Sequence, residues 1–320
     1  MPGATSGAPP RLTFRLAHLS DPHVGPLGRP RFSQLFGKRA TGYANWRRGR
    51  SRSHDMATLS LLVTDLRAQG AAHIACTGDL CNIGLPSEWA TALSFMQALG
   101  SPDAVSLVPG NHDAYVRGSL EGLLEACGAF TSDDSGTRGH FPYLRRRGPV
   151  ALIGLSSAIP TKPFVASGRL GPPQLAAAET LLRALATEPG RSCRVVMIHH
   201  PPHPGGASAG RELKDSAAFA AMIGRVGADL ILHGHNHVSS LAHIAGPGGR
   251  PVPVVGVPSA SALPDGHGAL PARRAGYVLY EIERAGEGFA IAARRRGLDA
   301  AGTMADLGPL DLVTSPALSA

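Results

Sequence analysis

The chain has 320 residues, of which 43% are apolar, and it carries a formal net charge of +8. This composition is typical of one globular domain with a sizeable core and excludes a mostly disordered chain, while the basic charge favours an anionic substrate or surface. No segment approaches the ~20 apolar residues that span a bilayer, and residues 1–11 lack the apolar run of a secretory signal, which predicts a cytoplasmic protein, at most peripheral to the inner face of the membrane.

Short apolar runs alternate along the chain with longer segments of helical spacing. The runs predict buried strands at residues 12–19, 74–77, 105–108, 150–155, 195–198, 230–232 and 252–257. Helical spacing of apolar residues predicts helices at 56–69, 88–99 and 173–186. Because strands and helices alternate, we expect an α/β layered fold.

The two ends of the chain are predicted to lie outside this fold. Residues 1–11 are small and rich in proline and glycine, which indicates a flexible N-terminus. Residues 299–320 show little periodicity, so we expect a tail that is either a loosely ordered cover or a disordered end. The folded domain is therefore predicted to span residues 12–298.

Polar clusters follow five of the predicted strands at their C-terminal ends. Their sequences are SDPH at 20–23, GD at 78–79, GNHD at 110–113, HHP at 199–201 and GHNH at 234–237. Ligand sites of open α/β sheets form at this edge, because loops that are remote in sequence meet there. We therefore expect the five clusters to build one site.

The side chains of these clusters predict a centre with two metal ions. Imidazole, carboxylate and amide donors suit first-row divalent or trivalent ions such as Mn, Fe or Zn. The first ion is assigned Asp21, His23 and His237, and the second ion is assigned Asn111, His199 and His235. Asp79 is predicted to bridge the two ions, and such a bridge holds a metal pair roughly 3.5–4 Å apart.

His112 is the candidate general acid, because its neighbour Asn111 would place it beside the metal and facing substrate. Asp113 is predicted to orient the His112 imidazole and to raise its pKa. The nucleophile is expected to be a metal-bound hydroxide, since no serine or cysteine has a base at a persuasive spacing.

The order DxH, GD, GNHD, H and GHxH resembles the calcineurin-like metallophosphoesterase superfamily over residues 12–263. The resemblance implies a four-layer α/β/β/α sandwich with mixed sheets and the metal roles given above. It favours His199 over His200 as the ligand, because the family pattern is histidine, any residue, proline. His200 and Asn82 remain candidate substrate contacts. The bacterial cyclic-nucleotide and glycerophosphodiester phosphodiesterase branch is the most similar.

Residues 25–54 form an insertion that is long for a βα loop and mixes aromatic with basic residues. It predicts either a lid over the site or an element that faces an anionic membrane surface. The alternative is a structured crossover with a solvated basic face. The shorter basic runs at 145–147 and 294–296 are also interpreted as solvated surface.

Most of the other histidines are expected to be ordinary core or surface residues. These are His18, His54, His73, His140, His243 and His267. His203 and His233 lie within a few residues of a predicted ligand and remain candidates for the pocket wall.

The leading functional prediction is a phosphodiesterase that hydrolyses a small phosphoester molecule. One alternative is a membrane-associated pyrophosphohydrolase of a nucleotide-diphosphate lipid, which the basic insertion favours. The other is a nuclease, which the positive charge supports only weakly, because no helix-turn-helix or aromatic-rich RNA module accompanies it. A nucleic-acid partner is therefore not expected.

Overall fold

A computed structural model describes residues 13–49, 53–263 and 270–313. It contains twelve strands. In chain order they are β1 (Phe14–Leu19), β2 (His73–Cys76), β3 (Val105–Leu107), β4 (Tyr143–Arg147), β5 (Val150–Gly154), β6 (Cys193–Met197), β7 (Leu230–His233), β8 (Ser240–Ala245), β9 (Pro251–Gly256), β10 (Gly276–Ala285), β11 (Gly288–Leu298) and β12 (Met304–Leu310). The predicted N-terminal segment 1–11 lies outside the described residues.

Six α-helices connect these strands in the described ranges. They are α1 (Lys38–Arg48), α2 (Met56–Ala68), α3 (Pro86–Leu99), α4 (Ser119–Cys127), α5 (Pro172–Thr187) and α6 (Ser216–Val226). Local signals start two of them, since the Asp55 carboxylate accepts from the backbone N–H of Thr58 at the start of α2 and a proline opens α3. None of the helices that the structure describes combines the length and the apolar character that a bilayer crossing demands.

The strands form two six-stranded sheets. The order is β12-β11-β10-β1-β2-β3 in the first sheet and β4-β5-β6-β7-β9-β8 in the second. Strands β1 to β3 are parallel, as are β5, β6, β7 and β9, whereas the remaining pairs are antiparallel. The parallel centres bring the C-terminal ends of β1, β2, β3, β6 and β7 together, and the five polar clusters follow these strands.

Three apolar cores define four layers. The two sheets pack face to face through side chains such as Leu16 of β1 and Val195 of β6. Helices α2 and α3 cover the outer face of the first sheet through residues such as Leu62, and α5 and α6 cover the second through residues such as Leu182. The predicted four-layer α/β/β/α sandwich with mixed sheets is confirmed.

The C-terminal segment differs from its prediction. Strand β12 pairs with β11 at the edge of the first sheet, so the sheet continues past residue 298. Half-exposed edge strands carry few apolar residues, and this one includes Gly308 and Pro309, so periodicity did not reveal it. Residues 314–320 lie outside the described part of the chain.

The basic run at 145–147 is not simply solvated surface. The Arg145 side chain is buried and donates to the backbone carbonyls of Pro102 and Val105 at 2.7 Å, and also to those of Ala129 and Ser132. A buried guanidinium can satisfy several carbonyls at once, because its donors form a rigid fork. The prediction of a solvated face is therefore wrong for Arg145.

The insertion 25–54 is a structured element that contains α1. Gly42 of α1 packs so closely against Tyr115 that a β-carbon at this position would overlap the Tyr115 hydroxyl. Lys38 donates from Nζ to Thr161 Oγ1 at 2.6 Å and to the Val165 carbonyl at 3.2 Å. The insertion is thereby attached both to the loop that carries His112 and to the loop after β5. Arg50 and Arg52 lie outside the described residues.

Candidate metal centre

The backbone of the polar clusters is held in an uncommon conformation. Six described residues other than glycine have a positive φ, and five of them are predicted metal ligands. These five are Asp21, His23, Asp79, His235 and His237. A left-handed conformation costs such residues about 1 kcal/mol or more each, and strain of this kind clusters at functional sites.

The structure brings the residues of the first predicted ligand set close together. Nε2 of His237 lies 3.2 Å from Oδ1 of Asp21 and 3.3 Å from Nε2 of His23. Potential ligand atoms of Asp21, His23, Asp79 and His237 all lie within 4.8 Å of one another. Four donors at these separations can converge on one cation.

The second predicted set lies beside the first. Nε2 of His199 lies 3.2 Å from Oδ1 of Asn111 and 3.3 Å from Nδ1 of His235. Oδ2 of Asp79 lies 3.4 Å from Nε2 of His199 and 3.8 Å from Nε2 of His23. The Asp79 carboxylate therefore stands between the two sets, in the position that a bridging ligand requires.

Hydrogen bonds set the tautomers of two of these histidines. Nδ1 of His23 lies 3.0 Å from the Cys81 carbonyl, and Nδ1 of His199 lies 2.7 Å from the Thr77 carbonyl. A carbonyl only accepts, so each Nδ1 carries a proton and each neutral ring presents its Nε2 lone pair to the centre. Oδ1 of Asp21 is buried and lies 3.2 Å from Nε2 of His237. Imidazole lone pairs and a carboxylate oxygen that face one centre are donors that fit a metal cation.

Electrostatics support the same assignment. Burial alone would raise the pKa of Asp79, but the imidazoles of His199 and His112 hold it well below its usual range. Burial lowers the pKa of His199, but the Asp79 and Asp21 carboxylates outweigh this and raise it to about 9. The centre thus attracts a proton in the absence of a cation, and a metal ion would compete with that proton.

Close packing around Asp79 requires a glycine. A β-carbon on Gly110 would overlap Oδ1 of Asp79 and come within 2.7 Å of Cε1 of His199. The backbone can reach the two ligands only without a side chain at this position. The glycine of the GNHD cluster therefore allows Asn111 to follow directly into the site.

Asp113 does not do what the sequence predicts. Its carboxylate is buried and accepts from the backbone N–H groups of Asp79 at 2.9 Å, Gly110 at 2.8 Å and Cys81 at 3.0 Å. It therefore holds the two loops that carry Asp79 and Asn111, and the prediction that it orients His112 is wrong. Sequence proximity suggested that pair, whereas the chain turn directs the two side chains apart.

The backbone carbonyl of Asn82 is the group that orients His112. It accepts a hydrogen bond from Nδ1 of His112, and the His112 ring also stacks on Tyr115 with centroids 5.3 Å apart. The Asn82 side chain is buried and donates to the Val24 carbonyl at 3.0 Å. Asn82 thus meets His112 through its backbone, while its predicted substrate contact stays a prediction.

The His200 ring packs against two predicted ligands, with its centroid 5.0 Å from that of His199 and 4.4 Å from that of His235, but protein atoms occupy both of its nitrogens. His200 is buried, with Nδ1 at 2.8 Å from Ser157 Oγ and Nε2 at 3.0 Å from the Ala166 carbonyl. Both of its ring nitrogens thus have protein partners, which argues against a substrate contact. The rings of His203 and His233 lie 6.5 Å apart and are not among the described residues that line the cavity at the metal centre.

A cavity of about 680 Å³ opens over the two ligand sets. Its lining includes Asp79, Asn111 and His112 of the strand-end clusters, His54 of the insertion, and Arg211 of the loop after β6. Arg211 is held there by donation to the His235 carbonyl at 3.2 Å. The sequence signalled neither His54 nor Arg211, because each lies outside the strand-end clusters.

The comparison with known families agrees with this geometry. The family model for the calcineurin-like phosphoesterases matches residues 14–239. The chain belongs to this family. Calcineurin-like phosphoesterases bind two metal ions as cofactors, and the His and Asp cluster described above can hold such a metal. Membership in the phosphodiesterase branch stays a prediction.

Several solved structures are similar to this chain at low sequence identity. Purple acid phosphatase PPD1 from yellow lupin (Lupinus luteus) seeds is similar at a TM-score of 0.56 and 14% identity, with 92% of this chain and 53% of that chain covered. The NAD nucleotidase NadN of Haemophilus influenzae has a TM-score of 0.45 and 14% identity, with 92% and 54% covered. The 5'-nucleotidase precursor of Thermus thermophilus has a TM-score of 0.47 and 16% identity, with 88% and 54% covered.

This chain therefore spans about half the length of each of these three proteins. At such identities the lupin enzyme indicates a shared fold and nothing about the substrate. No curated protein matches the chain.

Proposed function

We propose that this protein is a dinuclear metal-dependent phosphodiesterase. Family membership supports the coarser statement, that it is a metal-dependent hydrolase of phosphoric esters. The observation that carries the dinuclear proposal is the position of Asp79, whose Oδ2 lies 3.8 Å from His23 Nε2 and 3.4 Å from His199 Nε2. One carboxylate that faces two separate ligand sets is suited to bridge two ions.

In this proposal the side chains of the centre have separate roles. Asp21, His23 and His237 hold the first ion, and Asn111, His199 and His235 hold the second. Bound ions would neutralise phosphoryl charge and supply a water nucleophile that is active at neutral pH. His112 donates a proton from Nε2 to the oxygen of the leaving alcohol, with its ring fixed by the Asn82 carbonyl.

The size and the lining of the cavity support a diester as the substrate. Its lining combines Gly49 and His54 of the insertion with Ser208 and Arg211 of the loop after β6. A diester carries two substituents, and these two segments can each contact one of them. Arg211 adds positive charge beside the phosphoryl position, which favours an anionic substrate.

The test compares a diester with a monoester on metal-loaded full-length protein. We expect turnover of bis-p-nitrophenyl phosphate to exceed that of p-nitrophenyl phosphate with Mn or Fe, and Asp79→Asn to lower it by at least about a thousandfold. Cyclic AMP is the next substrate to assay. Faster turnover of the monoester would replace the proposal with a phosphomonoesterase, and inactivity on both would remove it.

A second candidate function is hydrolysis of a lipid phosphoester, such as a nucleotide-diphosphate lipid, at an anionic membrane. The observation in its favour is a set of three exposed phenylalanines: Phe32 is 92%, Phe36 75% and Phe164 83% exposed. Phe32 and Phe36 belong to the insertion, and Lys38 links that segment to the loop of Phe164 through the Val165 carbonyl. Exposed aromatic side chains of this size mark interaction sites.

Charge and conformation also point to a bilayer as the partner. Residues 24–54 and 156–178 contain no aspartate or glutamate, although they include basic residues such as Arg31 and Lys162. Aromatic side chains flanked by uncompensated cations are typical of elements that lie on anionic lipid. Phe164 has a φ of 64°, and its exposed ring gains little packing to offset this strain.

Vesicle co-sedimentation tests the second candidate. We expect the protein to sediment with vesicles that contain phosphatidylglycerol and not with vesicles of phosphatidylcholine alone. A variant with Phe32→Ser, Phe36→Ser and Phe164→Ser should stay in the supernatant, whereas Leu61→Ser, at an exposed leucine on α2, should sediment like the wild type. If the wild type does not bind the anionic vesicles, the second candidate is wrong.

A further inference from the structure

His54 lies beside the first predicted ligand set, although its sequence context gives no sign of this. Its ring centroid is 4.5 Å from that of His23 and 5.6 Å from that of His237. A ring nitrogen of each of these three residues lies within 4.8 Å of the others. Three imidazoles thus meet at the edge of the cavity.

The insertion delivers His54 to this place. His54 follows α1 and directly precedes Asp55, the N-cap of α2. An isolated β-bridge joins His54 to Ala262, and the Asp55 N–H donates to the Ser261 carbonyl at 2.8 Å. The loop after β9 therefore fixes the backbone of His54 relative to the metal centre.

A chain of hydroxyl groups anchors Nδ1 of His54. Ser259 Oγ donates to the Asp21 carbonyl at 2.6 Å, so its hydrogen is not available to Ser261 Oγ, which lies 3.3 Å away. Nδ1 of His54 in turn lies 2.8 Å from Ser261 Oγ, which anchors the ring. In the tautomer that donates from Nδ1 to Ser261, Nε2 carries the lone pair.

The same pattern occurs in two of the predicted ligands. His23 and His199 each donate from Nδ1 to a protein oxygen and present Nε2 to the centre. Metal-binding histidines almost always have their second nitrogen fixed in this way, because it sets the tautomer and the ring orientation. His54 also has a protein oxygen, Ser261 Oγ, on its Nδ1, and its ring lies beside the first set.

We propose that His54 is a further ligand of the first metal ion, supplied by the insertion. The inference rests on the metal centre of the proposed function and goes beyond it, because the strand-end clusters do not include His54. His54 groups with His23 and His237, so the first ion would have three imidazole ligands in place of two. Such a set would favour Fe, Co or Zn over Mn at this position, since imidazole suits those ions better.

A cysteine at position 54 gives a direct test that does not depend on catalysis. In the Co²⁺-loaded full-length His54→Cys variant, a thiolate bound to the ion would produce a sulfur-to-cobalt charge-transfer band in the near ultraviolet. The wild type serves as the reference, because its four cysteines are buried. The band is expected in the variant alone, and its absence from a folded variant that binds two Co²⁺ ions would overturn the proposal.

Metal affinity gives a second, independent measurement. We expect His54→Ala to weaken binding of one of two ions by at least about tenfold in competition with a chromophoric chelator. Ser261→Ala should have a smaller effect, and His140→Ala, at an exposed histidine, should have none. Unchanged affinity for both ions with a raised KM would show that His54 contacts substrate and would overturn its role as a ligand.

These outcomes separate the inference from the proposed function. If the wild type and the His54→Ala variant both bind two ions with equal affinity, the inference about His54 is wrong and the proposed function is unaffected. If His54→Cys shows the band but the wild type hydrolyses no phosphoester, the ligand role stands and the proposed activity fails.

Discussion

Nδ1 of His112 donates a hydrogen bond to the backbone carbonyl of Asn82. This contact leaves Nε2 as the nitrogen that exchanges a proton with substrate, and it fixes the ring without a carboxylate. Because the partner is a backbone atom, no substitution at Asn82 simply removes it. The role of His112 must therefore be tested at His112 itself.

His112→Gln should lower kcat much more for a poor leaving group than for a good one. An alkoxide must be protonated as it leaves, whereas p-nitrophenolate leaves without help, so we expect a loss of about 10²–10⁴-fold for an alkyl phosphodiester and much less for bis-p-nitrophenyl phosphate. The measurement is kcat for both substrates with wild type and variant. Equal losses for the two substrates would contradict a role as general acid.

Asp113→Asn should weaken metal binding. The carboxylate accepts from three backbone N–H groups that position the Asp79 and Asn111 loops, and an amide cannot accept all three without presenting its own donors. We expect a loss of about 10–100-fold in metal affinity, measured by chelator competition. If the variant binds metal with normal affinity and loses activity only on substrates that need a proton donor, the prediction is wrong, and Asp113 orients His112 instead.

Arg145→Met should destabilise the fold strongly. The substitution leaves the carbonyls of Pro102, Val105, Ala129 and Ser132 without this donor in a buried place, and we expect a loss of about 3 kcal/mol or more in the free energy of unfolding. Urea unfolding gives the value. Arg146→Met is the control, because Arg146 pairs with Glu188 at the surface and such pairs contribute about 0–1 kcal/mol. Similar losses in both variants would contradict the prediction.

Acid should destabilise the metal-free protein partly through His73. Burial lowers the pKa of His73 to about 3, with Arg147 and Arg145 adding to the effect. Below the ordinary value of about 6.5 the unfolded chain binds a proton that the folded protein does not, so stability falls as pH drops from about 6.5 toward 3. At about pH 5 this one group costs about 2 kcal/mol.

The variant that tests this effect is His73→Gln, whose amide nitrogen can replace Nε2 in the contact with Ser106 Oγ, 2.8 Å away. We expect its unfolding midpoint in urea to fall less steeply with pH than that of the wild type. His140→Gln, at an exposed position, should keep the wild-type slope. Identical slopes in all three proteins would show that His73 does not contribute.

Removing the metals should lower Tm. Ions that bind the folded protein and not the unfolded chain stabilise it by mass action, by about 2.7 kcal/mol at a free concentration a hundred times the Kd. We expect Mn or Zn to raise the Tm of the wild type and to have little effect on Asp79→Asn. Differential scanning fluorimetry with and without chelator measures both. An equal shift in the two proteins would indicate metal sites elsewhere.

Much of the fold and of the candidate site could be predicted because the signals are local. The central parallel strands are continuous apolar runs, and each ends in a polar cluster at the same edge of its sheet, so β1, β2, β3, β6 and β7 appeared in the sequence together with their loops. The antiparallel strands β4, β8, β10, β11 and β12 did not, because such strands can mix charged with apolar residues.

The sequence by itself determined the fold class, the family and the set of side chains that meet at the centre, because residue type and spacing are sufficient for these. Only the tertiary structure decided that Asn82 orients His112, that Asp113 holds the Asp79 loop and that His54 reaches the first ligand set. Each of these contacts depends on where a loop turns and which way a side chain points. Neighbours in the chain, such as His112 and Asp113, can face apart, while residues more than two hundred positions apart, such as His54 and Ser261, can meet.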